Sequence, residues 1–153
     1  DSIHSYWSNL DTTVVVVPQN NYQEVVRQKS LIISSFSVRV VDAGNSVISD
    51  YDKSIRKNSC RYLQERVELT AKNDGIYKLG VKLYTPEGKL LVPTKDARFT
   101  TITSINVPKA NKTKTYELLK FGSDNGNIWK AGEYKIEFYE DDTKIYSNTI
   151  NIL

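Results

Sequence analysis

Trp129-Lys130-Ala131-Gly132-Glu133-Tyr134 stands just before the penultimate strand-like run, and what flanks it points to the architecture. Downstream, Tyr134, Ile136 and Phe138 share one face of a strand over residues 133–140, the period-two pattern of a half-buried strand. Asp141-Asp142 makes a tight hairpin, and a strand over 145–153 returns with Tyr146, Ile150 and Ile152 inward. Upstream, the loop Gly122-Ser123-Asp124-Asn125-Gly126-Asn127 separates this hairpin from a strand over 114–121.

The same rhythm runs back to residue 34. Phe36, Val38 and Val40 alternate with Ser37 and Arg39, and Leu63, Glu65, Val67, Leu69 and Ala71 form a second series. Tyr77, Leu79, Val81 and Leu83 form the third, with Lys78, Gly80, Lys82 and Tyr84 opposite them. Pro86-Glu87-Gly88 turns the chain into a short strand over 89–92, and a Thr-rich strand over 98–107 stops at Pro108. Residues 49–59 are charged and irregular and read as a loop. Seven or eight strands without a long helix predict an all-β, antiparallel two-sheet sandwich over 34–153. Residues 1–33 read as an N-terminal linker or docking segment, with a strand-like run over 12–17 closed by Pro18. Residues 22–30 are open between a short helix and an extended piece.

Gly132 two residues ahead of Tyr134 resembles the tyrosine corner of immunoglobulin-like and fibronectin type III-like domains. That resemblance covers about residues 34–153. It implies a Tyr134 ring in the core, with its hydroxyl bonded to backbone a few residues upstream. Gly132 would supply a backbone angle that a Cβ resists, and Trp129 would fold back over the core end. The segments 79–90 and 129–152 also resemble Ig-like modules of cell-envelope and secreted proteins of the Bacteroidetes. The paired cysteines of antibody-type domains are absent, since Cys60 is the only cysteine.

Composition agrees with a β domain. Ten Tyr, two Trp and four Phe accompany many Val, Ile and Thr in 153 residues, which suits pleated, half-buried surfaces. A net charge of +3 is too small to suggest nucleic acid, and no apolar run is long enough to span a membrane. His4, the only histidine, lies in the N-terminal lead, so neither a Ser–His–Asp nor a Cys–His arrangement is motivated. Cys60 stands next to Arg61 and near Lys57, cations that would lower its thiol pKa; the alternative is an incidental thiol at a loop–strand boundary. Glu133 and Glu137 share a wet strand face, while Glu140, Asp141 and Asp142 sit at a hairpin tip as solvated turn residues. No carboxylate pair lies in an apolar setting. The Asp124–Asn127 stretch has calcium-like ligand types without the spacing of a calcium loop. The reading is therefore of a non-enzyme with no cofactor and no metal.

Three surface features remain. Arg56, Lys57, Arg61 and Arg66 make residues 53–66 basic, whereas residues 131–153 are acidic, a bipolar surface suited to steering a charged partner. Tyr84 and Tyr139 leave the core face by alternation, and Tyr62 is taken with them, as side chains able to stack on sugars or anchor a protein. Asn111-Lys112-Thr113 is a glycosylation sequon. The expected role is a structural or protein-interaction module of an extracytoplasmic (periplasmic, cell-surface or secreted) protein. Its partner would be another protein or a neighbouring domain of its own polypeptide. The alternative is a carbohydrate-binding module that takes polysaccharide on its exposed aromatics.

Overall fold

Alternating apolar residues become the facing layers of a sandwich in the computed structural model, which describes residues 30–153. His4, the run over 12–17 and all but the last residue of the 22–30 segment lie outside the described residues. Among the described residues eleven strands are formed: β1 (Leu31–Val41), β2 (Val47–Asp52), β3 (Ser54–Ile55), β4 (Tyr62–Ala71), β5 (Gly75–Tyr84) and β6 (Leu90–Leu91), then β7 (Thr101–Val107), β8 (Lys114–Glu117), β9 (Phe121–Gly122), β10 (Gly132–Glu140) and β11 (Thr143–Ile152). One sheet has the order β2-β1-β4-β8, with β9 also on β4; the other has β3-β11-β10-β5-β6, with β7 also on β5. Every ladder is antiparallel except the short β3–β11 pair.

The first sheet turns Val38, Val40, Leu63, Val67 and Leu69 inward, and the second answers with Tyr77, Leu79, Val81, Ile136 and Phe138. Phe36 and Phe138 close the two layers edge to face at 5.4 Å. At one end Tyr134 is fully buried; its hydroxyl accepts from Lys130 N at 2.9 Å and donates to Lys130 O at 3.0 Å. Gly132 holds φ +140°, and a Cβ there would meet Pro86 Cγ at 2.6 Å, so a side chain is excluded twice over. Trp129 is buried beside Tyr134 and Phe121, and its indole N–H donates to Arg61 O at 2.8 Å.

The strand count exceeds the seven or eight expected. Residues 49–59 hold β2, β3 and a 3-10 turn instead of a loop, because β2 is an edge strand with no buried face and so shows no apolar period. The strand expected over 114–121 splits into β8 and β9. Leu118 turns into the core there, its N–H on Glu65 O, and breaks the ladder. β7 starts at Thr101 instead of residue 98; just ahead of it Thr100 still gives its N–H to Val81 O, while its hydroxyl bonds Leu91 O and receives Leu83 N. β1 begins at Leu31, so residues 31–33 belong to the sheet.

Candidate functional site

Gly80 organises the outer face of the β5–β10 sheet. Without a side chain in mid-strand, it lets the Phe99 ring lie against the sheet; a Cβ would stand 2.7 Å from that ring. Phe99 meets Tyr139 edge to face at 5.4 Å, because Tyr139 is the register partner of Gly80 across the β5–β10 ladder. Tyr84 lies further along the same face, opposite Lys135.

Beneath these rings, on the outer face expected of it but covered instead of wet, sits Glu137, only 4% exposed. Its carboxylate accepts the Tyr139 hydroxyl at 2.7 Å and takes Lys135 Nζ at 3.0 Å and Lys144 Nζ at 3.4 Å. Burial alone would raise its pKa, but the Tyr139 and Lys135 hydrogen bonds and the two ammonium charges outweigh it and hold the group at about 2. Tyr139 is pushed the other way, by burial and then by its bond to the Glu137 anion, and Tyr84 is likewise raised by burial and by Glu137. Lys82 Nζ stands 4.7 Å from the Tyr139 ring centre and 5.4 Å from that of Phe99, and Lys135 Nζ stands 5.7 Å from that of Tyr84. Beside the rings opens a shallow, mostly apolar hollow of about 180 Å³, lined by Gly80, Phe99, Ile102, Lys78, Asp141 and Asp142.

The structure brings Tyr84 and Tyr139 onto one face but leaves Tyr62 on the other sheet, half-buried under Lys120 at 4.8 Å. The basic residues also divide. Arg66 is on the outer face of β4, stacked 3.9 Å over Tyr51, whose hydroxyl donates to Glu117. Arg56, Lys57 and Arg61 lie at the Trp129 end. There Lys57 and Arg61 line an open cleft of about 370 Å³ with Asp124, Asn125, Gly126 and Asn127. The calcium-like loop therefore faces two cations. Among the described residues no cluster of His, Cys, Asp and Glu could hold a metal ion.

The acidic end of the bipolar surface is largely absorbed. Glu137 is paired, Asp142 meets Arg98 at 2.7 Å, and Glu140 is buried instead of solvated. Glu140 accepts the N–H groups of Ser30 and Leu31, each at 2.9 Å, and the Ser30 hydroxyl, so it fastens the start of β1 to the end of β10. Cys60 is fully buried, and burial pushes its thiol up to about 12 against the weaker opposing effect of Arg61, the reverse of activation. One carboxyl does sit in an apolar setting, though as a single group and not a pair. Glu65 is buried on the core face of β4, its Oε1 has no hydrogen-bond partner among the described residues, and burial raises it to about 8.

Phe99, Lys82 and Tyr51 were not anticipated from the sequence. Gly80 in the middle of a strand was the available signal for Phe99; Tyr51 gave none, being in a segment without apolar period.

No family model matches the chain, and no curated protein matches it. Among solved structures it is similar to an immunoglobulin-like protein from Pseudomonas aeruginosa, at 13% identity, covering 82% of this chain and 98% of that one, with a TM-score of 0.45. It is also similar to the C-terminal domain of wzt, at 15% identity over 82% and 75% of the two chains with a TM-score of 0.49. A third likeness is to β-glucosidase 3B from Thermotoga neapolitana, at 16% identity and a TM-score of 0.46, covering 86% of this chain and only 17% of the glucosidase. At identities and TM-scores this low the likenesses carry no argument of their own; the chain's own strand order and its Tyr134 corner show a two-sheet, mostly antiparallel β-sandwich.

Proposed function

We propose that this domain is a non-catalytic binding module of an extracytoplasmic protein and that it docks a protein partner, or a neighbouring domain, on the outer face of the β5–β10 sheet. The fold suggests a binding or structural module without naming a partner. The observation that carries the proposal is the locked cluster of Tyr84, Phe99 and Tyr139 over the Glu137 anion. Aromatic rings fixed in advance by hydrogen bonds lose little entropy on docking, and lysines around them form a polar rim. Ile76, 70% exposed, and Ile102, 49% exposed, extend the same face with apolar surface.

The lysines also favour protein over sugar. Lys82 lies over the Tyr139 ring and Lys135 over the Tyr84 ring, where they compete with stacked pyranose rings. The remaining titratable groups support a non-catalytic role: Glu137 and Glu140 are tied down by hydrogen bonds, and the Cys60 thiol is inert. The test is cross-linking capture from envelope and soluble fractions of the host, with cross-link positions mapped by mass spectrometry. The expected result is one enriched protein joined through Lys78, Lys82, Lys135 or Lys144. Polysaccharide retained in place of protein, and lost with Tyr84→Ala or Tyr139→Ala, would move the assignment to carbohydrate binding.

A further inference from the structure

Arg61 is fixed at both ends. Its carbonyl accepts the Trp129 indole N–H at 2.8 Å and the Ser123 N–H at 3.1 Å. Its guanidinium gives Nη1 to Cys60 O at 2.9 Å and to Asn58 O at 3.3 Å. Gly126 lets the loop over residues 122–127 close onto that group, because a Cβ there would overlap Nη1. A free arginine side chain gives up rotamer freedom when it takes a ligand; here the fold has already removed it. Arg61 Nε and Nη2 make no hydrogen bond among the described residues, and the guanidinium forms no ion pair there. What remains is the edge of the fork that matches the two oxygens of one carboxylate.

The cleft that Arg61 lines suits a single negative charge. Lys57 lines it too, and its ammonium is likewise in no ion pair among the described residues. Asp124 joins them from the facing loop without pairing with either cation, which leaves one positive charge in excess. A doubly charged phosphate would meet that carboxylate as a like charge. The rest of the lining is largely amide, from Asn58, Asn125 and Asn127. Asn125 Oδ1 accepts Asn127 N at 2.9 Å, so the Asn125 NH2 group and the side chains of Asn58 and Asn127 stay open to a ligand. Carboxamides and a carboxylate supply the donors and acceptors that hydroxyl groups need. We propose that this cleft binds a carboxylate flanked by hydroxyl groups, a sugar acid, with Arg61 and Lys57 on its charge and Asp124 and the asparagines on its hydroxyls. The site lies at the Trp129 end of the sandwich and does not rest on the docking face.

The test is a titration of the full chain followed by NMR of the backbone amides and the arginine Nε–H groups. The probes are D-glucuronate, trigalacturonate, D-glucose and inorganic phosphate. Glucuronate is expected to give saturable shifts at Arg61 Nε–H and at the amides of Asn58, Gly126 and Asn127, and glucose none. Arg61→Lys keeps the charge but loses the fork, and should weaken binding about tenfold or more. Gly126→Ala keeps every charge and displaces the guanidinium, with a comparable loss expected. Should either variant fail to fold, Lys57→Gln, which removes no described side-chain bond, is still expected to weaken binding severalfold. Trigalacturonate bound as tightly as glucuronate supports the site and assigns the ligand to a polysaccharide; glucuronate bound alone supports it and assigns the free acid. Phosphate bound at the same amides as tightly as glucuronate would overturn the sugar-acid assignment. No saturable shift with either acid, or unchanged binding by Arg61→Lys, would overturn the site itself.

Discussion

Glu65 places a carboxyl where a hydrocarbon would pack, and it makes stability depend on pH in an unusual direction. Its folded pKa of about 8 lies above the ordinary carboxylate value near 4.3, so between those limits the unfolded chain gives up a proton that the folded chain keeps. Stability therefore falls as pH rises from about 4.5 to 8, on the order of a few kcal/mol. Glu65→Gln is expected to flatten that slope in urea-unfolding midpoints taken from pH 5 to 8; an unchanged slope would show that Glu65 does not keep its proton. Glu137 acts with the opposite sign. Held at about 2, it lends stability above the ordinary carboxylate range and withdraws it as pH falls from about 4.3 towards 2. Glu137→Gln is expected to remove part of the acid-side loss, and Tyr139→Phe to shift that loss to higher pH by deleting one hydrogen bond to the anion.

Among elements, the Trp129–Tyr134 corner is the joint on which β10 turns into its sheet. Tyr134→Phe leaves the ring in place but strands the Lys130 N–H and C=O, at an expected cost of about 1–3 kcal/mol. Gly132→Ala meets both the positive φ and Pro86, and should destabilise at least as much; chemical denaturation measures both. This corner was legible in the sequence because a Gly and a Tyr at fixed spacing must sit just before an alternating strand. So were the outward positions of Tyr84 and Tyr139, which follow from strand parity. Glu65 was visible in the inward series with Leu63 and Val67, although parity alone does not tell that the position is sealed. β2 and β9 were not legible, since neither buries a continuous apolar face. Nor were the burial of Glu137 and Glu140. Alternation gives the face a residue occupies but not what closes over it, which here is Tyr139, Lys135 and Lys144 in one case and the start of β1 in the other.

For the whole molecule, the contributions of these two carboxyls oppose each other and their sum is greatest near the ordinary carboxylate value of about 4.3, so together they favour mildly acidic pH although the sequence pI is 8.8. A midpoint-against-pH curve that declines from mildly acidic pH towards 8, and whose maximum moves to higher pH in Glu65→Gln, is the expected result. The sandwich has two outer faces, each with a tyrosine on a glutamate: Tyr139 on Glu137, and Tyr51 on Glu117. Only the first adds Phe99, an adjoining apolar hollow and the exposed Ile76 and Ile102. The most direct test of the docking face is therefore capture from the host fractions by three proteins side by side: the unaltered domain, a Phe99→Ala/Tyr139→Ala variant and a Tyr51→Ala variant. At least a tenfold loss of the captured protein with Phe99→Ala/Tyr139→Ala, and retention with Tyr51→Ala, is the outcome predicted. Equal capture by the unaltered domain and the Phe99→Ala/Tyr139→Ala variant would contradict the assignment of the β5–β10 face.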